Sequence, residues 1–288
     1  MIESARAKIN LTLRVLGRRA DFYHDLESLV VFADLADTLT LEPGDGTSLD
    51  IGGPYAAQAG LTEDNLVLKA LRALADSTGG SALRGGHFTL DKQLPVAAGI
   101  GGGSADAAAA LRLIARANDM PFDDARLMLA ALRTGADVPV CMASRPRIMT
   151  GVGERLSQPL DLPPLNAILV NPGVPLATRD VFAAYQVRPQ AHALAPQAVP
   201  REVGPLIEFL KGHGNDLTAA AIACAPVVGD VLDALQAASG SLLARMSGSG
   251  STSFALFESA GEAKAAASHL AAAHEGWWVM PAVFGDRS

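Results

Sequence analysis

Apolar and polar residues alternate over residues 8–16, with Ile9, Leu11, Leu13 and Val15 on one face and Lys8, Asn10, Thr12 and Arg14 on the other. A period of two is the signature of a half-buried strand, so Lys8 and Asn10 are expected to point the same way. After Thr62 the period lengthens. Leu66, Val67, Ala70, Leu71 and Leu74 recur on one side of a helix, with Thr62 as its cap and Gly79-Gly80 as its stop. "HFTLDKQL", from His87, returns to strand spacing. Two helices are expected next, over roughly 104–117 and 123–133, the second closed by Gly135. A strand near 140–149 then leads into the turn at Gly151-Val152-Gly153.

The second half continues the mixture. "LNAILVNPG", from Leu165, reads as a strand, Thr178 as the cap of a short helix through Tyr185, and the proline-rich 188–200 as a loop. Helices to about Ser239, two strands in "LLARMSGSG" and "STSFALF", a helix over 260–274 and a strand near 277–284 complete the chain. Strands and helices interleaved without a fixed repeat predict an α+β protein of two domains meeting near residue 155.

Composition narrows the chemistry. The 288 residues are 49% hydrophobic and 18% charged, with a net charge of −7, and no stripe of Lys and Arg offers phosphate contacts to a nucleic acid. Small molecules are the expected partners, not nucleic acid or membrane. Cys141 and Cys224 stand far apart without a CxxC spacing, and no HExxH pair occurs, so neither a disulfide framework nor a zinc site is implied. The N-terminal stretch lacks the apolar core of a signal peptide, and no run reaches a membrane span, which predicts a cytoplasmic protein.

The stretch "PVAAGIGGGSADAAAAL", from Pro95, sets four glycines directly before an alanine-rich helix. Gly99, Gly101, Gly102 and Gly103 permit backbone angles closed to other residues, so their amides can converge on an anion. The free N–H groups and positive dipole end of the following helix face the same point. Such a loop is a phosphate cradle, or else a flexible turn before a helix. A Walker loop is excluded because no Gly-Lys pair occurs in the chain. A dinucleotide fingerprint would need glycine where Ser104 stands. Ser104 itself reads either as a phosphate or magnesium contact or as an N-cap, and Asp106 as a partner of the helix dipole.

The stretch resembles the second signature of the GHMP kinases, a family of small-molecule kinases. Ala7-Lys8-Ile9-Asn10 resembles the first signature, and Ser247-Gly248-Ser249-Gly250 the third. The resemblance implies an N-terminal ATP-binding domain with a left-handed βαβ crossover (1–155), a ferredoxin-like C-terminal domain (156–288), and an active site between them. Four further stretches, "RRADFYHDLESLV" from Arg18, "LTEDNLVLKA" from Leu61, "TGADVPVCM" from Thr134 and "NPGVPLATRDVF" from Asn171, are similar to one branch of the family. That branch phosphorylates the 2-hydroxyl of 4-diphosphocytidyl-2-C-methyl-D-erythritol in the non-mevalonate isoprenoid pathway. The alternatives are a family member acting on homoserine, mevalonate or a sugar, and a nucleotide-binding regulator without catalysis.

Residue by residue, the resemblance gives Asp137 the alcohol's proton, with Lys8 keeping it ionised and offsetting charge on the moving phosphoryl group. Pro95, the glycines and Ser104 would hold the ATP phosphates, and Asn65 would lie near the adenine. Tyr23, His24 and Phe182 would enclose the cytosine, while Asn10 and Thr178 would contact polar parts of the substrate. Magnesium is implied with ATP, its protein ligands unassigned. Two departures stand out: Phe22 replaces a usual glycine before Tyr23-His24, which predicts a strained or rearranged turn, and Arg6 replaces a usual proline.

Overall fold

The computed structural model describes residues 1–20, 23–60, 62–78, 83–186 and 194–285. Its strands are β1 (Ile2–Asn10), β2 (Arg14–Arg18), β3 (His24–Gly44), β4 (Thr47–Gly52), β5 (Gly85–Asp91), β6 (Arg147–Gly151), β7 (Arg155–Leu156), β8 (Leu165–Asn171), β9 (Leu243–Met246), β10 (Ser253–Phe257) and β11 (Trp278–Phe284). Its helices are α1 (Leu66–Ser77), α2 (Gly102–Ala117), α3 (Ala125–Thr134), α4 (Val138–Ala143), α5 (Thr178–Ala184), α6 (Val203–Lys211), α7 (Thr218–Cys224), α8 (Val227–Ala237) and α9 (Ala260–Ala273).

The chain forms two compact units. The first comprises Met1–Ala7, Leu35–Val96 and Gly101–Ser144; the second comprises Lys8–Asp34, Ala97–Ile100 and Arg145–Ser288. The second unit therefore draws on segments from both sides of residue 155.

In the first unit, the C-terminal half of β3 runs antiparallel to β5, with Leu41 opposite Phe88, and β4 runs parallel to β5 on its other side. Leu39, Leu41, Phe88 and Leu90 alternate inward, and Val67, Ala70, Leu71 and Leu74 form the buried face of α1. Helix α2 is buried along almost its whole length, from Ala105 to Ala115 apart from Arg112. A helix enclosed on nearly every side needs apolar residues all round, and alanine combines the highest helix propensity with a side chain small enough to be surrounded. Arg112 lies against the N-terminal strand instead, with Nε donating to Glu3 at 2.7 Å.

In the second unit, β8–β11 form a sheet in the order β11-β8-β10-β9, each neighbouring pair antiparallel. With α8 crossing from β8 to β9 and α9 from β10 to β11, this is the ferredoxin-like β-α-β-β-α-β arrangement. The period of two places Ile168, Val170, Ala255 and Phe257 on one face, where they meet Val231, Leu235, Ala267 and Leu270 of the two helices. Helix α9 begins with a capping box, in which Ser259 and Glu262 satisfy each other's backbone amides. The N-terminal half of β3 pairs with β2 and β6, both antiparallel.

Several local expectations are corrected. Residues 8–16 form the end of β1 and the start of β2, separated by a break at 11–13. Both faces are buried, Lys8, Asn10 and Thr12 included. Helix α1 is capped by Asn65, not Thr62, and its expected stop at Gly79-Gly80 lies outside the described residues. Where a strand was expected from residue 140, α4 forms first and β6 only at Arg147. The apolar β-branched run favoured a strand, but Pro139 sits in the first turn of α4, where a missing N–H costs no helical bond. Thr178 is the first residue of α5, behind Ala177. The expected loop at 188–200 lies partly outside the described residues, and Pro196–Ala198 form a 3-10 turn.

Candidate active site

Within the second unit, three segments from opposite ends of the chain meet through their backbones. The Lys8 amide donates to Ile100 O at 2.8 Å, and the Asn10 amide donates to Ser247 Oγ at 3.1 Å. Ser247 Oγ donates in turn to Gly99 O at 3.0 Å, and the Thr252 amide donates to Ala98 O at 3.0 Å. The approach is so close that a Cβ on Gly99 would lie 2.6 Å from both Ser247 O and Gly250 O. A Cβ on Gly248 would lie 2.7 Å from Gly99 O. Lys8 and Asn10 are thereby fixed at the end of β1, 4% and 1% exposed. Asn10 Nδ2 donates to Ser28 Oγ at 2.7 Å, whereas its buried Oδ1 has no hydrogen-bond partner among the described residues. A buried acceptor left open costs about 1–3 kcal/mol, which a donor on a bound molecule would recover.

Two asparagines that the sequence reading passed over hold the 247–252 turn. Asn215 Nδ2 donates to Met246 O and Gly248 O, both at 2.8 Å, while its Oδ1 accepts from the Leu217 amide at 3.0 Å. Asn171 Nδ2 donates to Thr252 Oγ1 at 2.9 Å, and its Oδ1 accepts from the Gly173 amide at 2.8 Å. The available signal was a polar Asn-Asp pair followed directly by apolar Leu217. Asn215→Ala leaves two carbonyls and one amide without this partner, and an unfolding free energy lower by about 2–4 kcal/mol is expected in urea titration.

The residues matched to cytosine recognition lie in the same unit. His24 and Phe182 stack, with ring centroids 4.8 Å apart and planes 24° apart, and Tyr23 is 64% exposed beside them. Burial, and then the Arg18 charge, lower the His24 pKa from its ordinary 6.5. The imidazole is thus neutral at pH 7, with one nitrogen donating and one accepting. Thr178 Oγ1 lies 2.9 Å from Ser249 Oγ, which joins α5 to the 247–252 turn. Asp21 and Phe22, where a strained turn was expected, lie outside the described residues.

The first unit holds the rest of the glycine-rich stretch. Gly101 is the N-cap of α2 in the left-handed conformation (φ 63°, ψ 20°), and no side chain caps the helix. The first amides of α2, on Gly102, Gly103 and Ser104, therefore face outward without a capping side chain, an arrangement suited to phosphate oxygens. Ser104 is the third residue of the helix, which corrects the N-cap alternative. Pro95 is buried just before the loop. Asn65 Oδ1 is engaged in capping α1, accepting from the Val67 amide at 2.9 Å. Asp137, half-buried, precedes α4 and makes no side-chain capping bond to it. Beneath the start of α2, Asp106 meets two residues that the sequence reading did not single out, Lys92 and Asp37; all three are buried, and both carboxylates bond the ammonium. Their signal was parity. Lys92 shares the apolar face of Phe88 and Leu90, and Asp37 that of Leu39 and Leu41. Among the described residues, no cluster of three or more His, Cys, Asp or Glu side chains could hold a metal, and no helix is long and apolar enough to cross a membrane.

The model of the GHMP kinases N terminal domain matches residues 65–145, and that of the GHMP kinases C terminal domain matches 195–276. The chain belongs to the GHMP kinase family, whose members use ATP. It is 57% identical over 286 residues to a 4-diphosphocytidyl-2-C-methyl-D-erythritol kinase of Rhodopseudomonas palustris, covering 96% of this chain and 95% of the relative. A kinase of the same name from a Bradyrhizobium species is 55% identical over 286 residues, covering 96% and 94%. A crystal structure of 4-(cytidine 5'-diphospho)-2C-methyl-D-erythritol kinase superposes with a TM-score of 0.80 at 33% identity, over 99% of this chain and 100% of that one. Homoserine kinase from Cytophaga hutchinsonii shares the fold, with a TM-score of 0.69 at 20% identity, over 97% and 93%.

Proposed function

We propose that this GHMP kinase transfers the γ-phosphoryl group of ATP to the 2-hydroxyl of 4-diphosphocytidyl-2-C-methyl-D-erythritol, as a cytoplasmic enzyme of the non-mevalonate isoprenoid pathway. The observation that carries this reading is the 57% identity, over nearly the whole chain, to an enzyme of that name. Homoserine and mevalonate kinases share the fold at only 20% and 17% identity.

In the reaction, the substrate oxygen bonds to the γ-phosphorus as the bond to the bridging oxygen of ADP breaks. Asp137 takes the proton of the hydroxyl, and Lys8 offsets charge on the phosphoryl oxygens. Phosphoryl transfer depends on positioning and charge stabilisation more than on covalent participation by the protein, so rigid backbone placement of Lys8 matters as much as its charge. Pro95, Gly99 and the amides of Gly101, Gly102, Gly103 and Ser104 hold the phosphates, and Asn65 lies near the adenine. Magnesium bound with ATP would offset negative charge on the phosphates that these amides hold. Asn10, with its open Oδ1, and Thr178 contact the substrate's polar groups.

Tyr23, His24 and Phe182 receive the cytosine, whose edge presents a donor and an acceptor to match a neutral imidazole. His24→Ala is expected to raise KM for the cytidylyl substrate about tenfold, the worth of one hydrogen bond, with kcat little changed. Unchanged steady-state kinetics would remove His24 from the site. The reading as a whole is tested by incubating the protein with magnesium, γ-labelled ATP and a panel of alcohols. Label on 4-diphosphocytidyl-2-C-methyl-D-erythritol is expected. Label only on homoserine, mevalonate or a sugar would replace the substrate, and ATP binding without any transfer would refute the enzyme.

A further inference from the structure

The start of α2 rests on three buried charges that the phosphoryl transfer described above does not use. Lys92 follows β5 directly and is 3% exposed, Asp37 on β3 is 0% and Asp106 on α2 is 2%. Lys92 Nζ donates to Asp37 Oδ2 and, at 2.8 Å, to Asp106 Oδ2. The other oxygen of Asp37 accepts from the Gln93 amide at 2.6 Å and the Leu94 amide at 2.8 Å, the two residues before Pro95. Asp37 thus fixes the chain entering the glycine-rich stretch, Asp106 fixes the helix leaving it, and Lys92 joins the two. A Cβ on Gly102 would lie 3.5 Å from Lys92 Nζ and 3.7 Å from Asp37 Oδ2, so the cluster sits directly under the first residue of α2.

Two buried carboxylates on one ammonium are expensive, and apolar side chains at the same inward positions would serve stability better. We infer that Lys92, clamped between Asp37 and Asp106, is a positioning residue for the nucleotide, setting the first amides of α2 against the triphosphate. This inference rests on the reading of the glycine-rich stretch as the ATP phosphate site.

The clamp carries its own titration. Burial opposes the Lys92 charge, but Asp106 and Asp37 outweigh it and raise its pKa. Burial is the main cause that raises Asp106 to about 7, against the pull of Lys92 and with the help of Asp37. One Asp106 oxygen, Oδ1, has no hydrogen-bond partner among the described residues. Other charges on the helices packed against α2 are exposed: Lys69, Arg72 and Asp76 on α1, Arg126 and Arg133 on α3. Helix α4 carries no acid or base except Cys141. Ionisation of Asp106 adds one negative charge to the cluster, about one helical turn from the phosphate amides. Nucleotide affinity therefore weakens as Asp106 ionises.

The test is calorimetric binding of ADP with magnesium to the full chain between pH 6 and 8, without any alcohol. The affinity of the unaltered protein divided by that of Asp106→Asn cancels the titration of ADP itself. This ratio is expected to fall severalfold from pH 6 to 8, whereas a merely structural Asp106 would leave it flat. Lys92→Met is expected to bind ADP at least tenfold more weakly. A constant ratio, or unaltered ADP binding by Lys92→Met, overturns the inference; should Lys92→Met fail to fold, the Asp106→Asn ratio decides alone. Absence of ADP binding by the unaltered protein would instead overturn the reading of the phosphate site. A protein that binds ADP but phosphorylates no alcohol would overturn only the proposed function.

Discussion

Asp137→Asn is expected to lower the single-turnover rate of phosphoryl transfer by about 10²–10⁴-fold, the range for loss of a positioned proton acceptor. ADP affinity should stay within about twofold, since the substitution leaves α2 and its amides untouched. The two side chains are nearly isosteric, and Asp137 makes no capping bond to α4. The variant therefore has no helix cap to lose. What it removes is a negative charge and the capacity to accept the hydroxyl's proton. A turnover close to that of the unaltered protein would refute the role of Asp137. Single-turnover measurement is needed because slow product release can conceal a large loss in the chemical step.

Gly99→Val is expected to destabilise the second unit by about 4 kcal/mol or more and to cut kcat/KM by at least about a hundredfold. Two independent causes add. Gly99 has φ +75°, a conformation that costs a side-chain-bearing residue about 1–2 kcal/mol, more for a β-branched one. Its Cβ would also lie 2.6 Å from two carbonyl oxygens and 2.8 Å from the Gly250 amide nitrogen, all backbone atoms that cannot swing aside. The 247–252 turn and the glycine-rich loop must then separate, which loosens Asn10 and Lys8 with them. Gly204→Ala provides the contrast: nothing lies within 4 Å of its Cβ, and it sits inside α6. That variant should be neutral or more stable by about 0.5–1 kcal/mol. Equal urea midpoints for Gly99→Val and the unaltered protein would mean that the junction is not closed in solution.

Much of this arrangement is legible in the amino-acid sequence. The inward positions of α1, the strands β8, β10 and β11, and helix α9 follow from periods of 3.6 and 2. The three signature motifs were equally plain, because glycine clusters mark backbone that must approach something closely. What stayed hidden depends on long-range partners. Val138–Ala143 is a β-branched apolar run that local propensity assigns to a strand, and its burial and Pro139 assign it to a helix. Asn215 looks like any turn residue until Met246 and Gly248 present their carbonyls to it. Lys92 and Asp37 announced themselves only as charges at core parity, an irregularity that points to burial without naming the partner. Asp106, read as a partner of the helix dipole, is in fact bound to a lysine from the end of another element.

The uncapped amides at the start of α2 bear on inhibitor design. A compound that grips the N–H groups of Gly102 and Gly103 holds atoms belonging to the main chain, which a point mutation other than to proline cannot delete. Resistance would have to arise by displacing the helix itself, at the expense of the same amides proposed to hold the nucleotide.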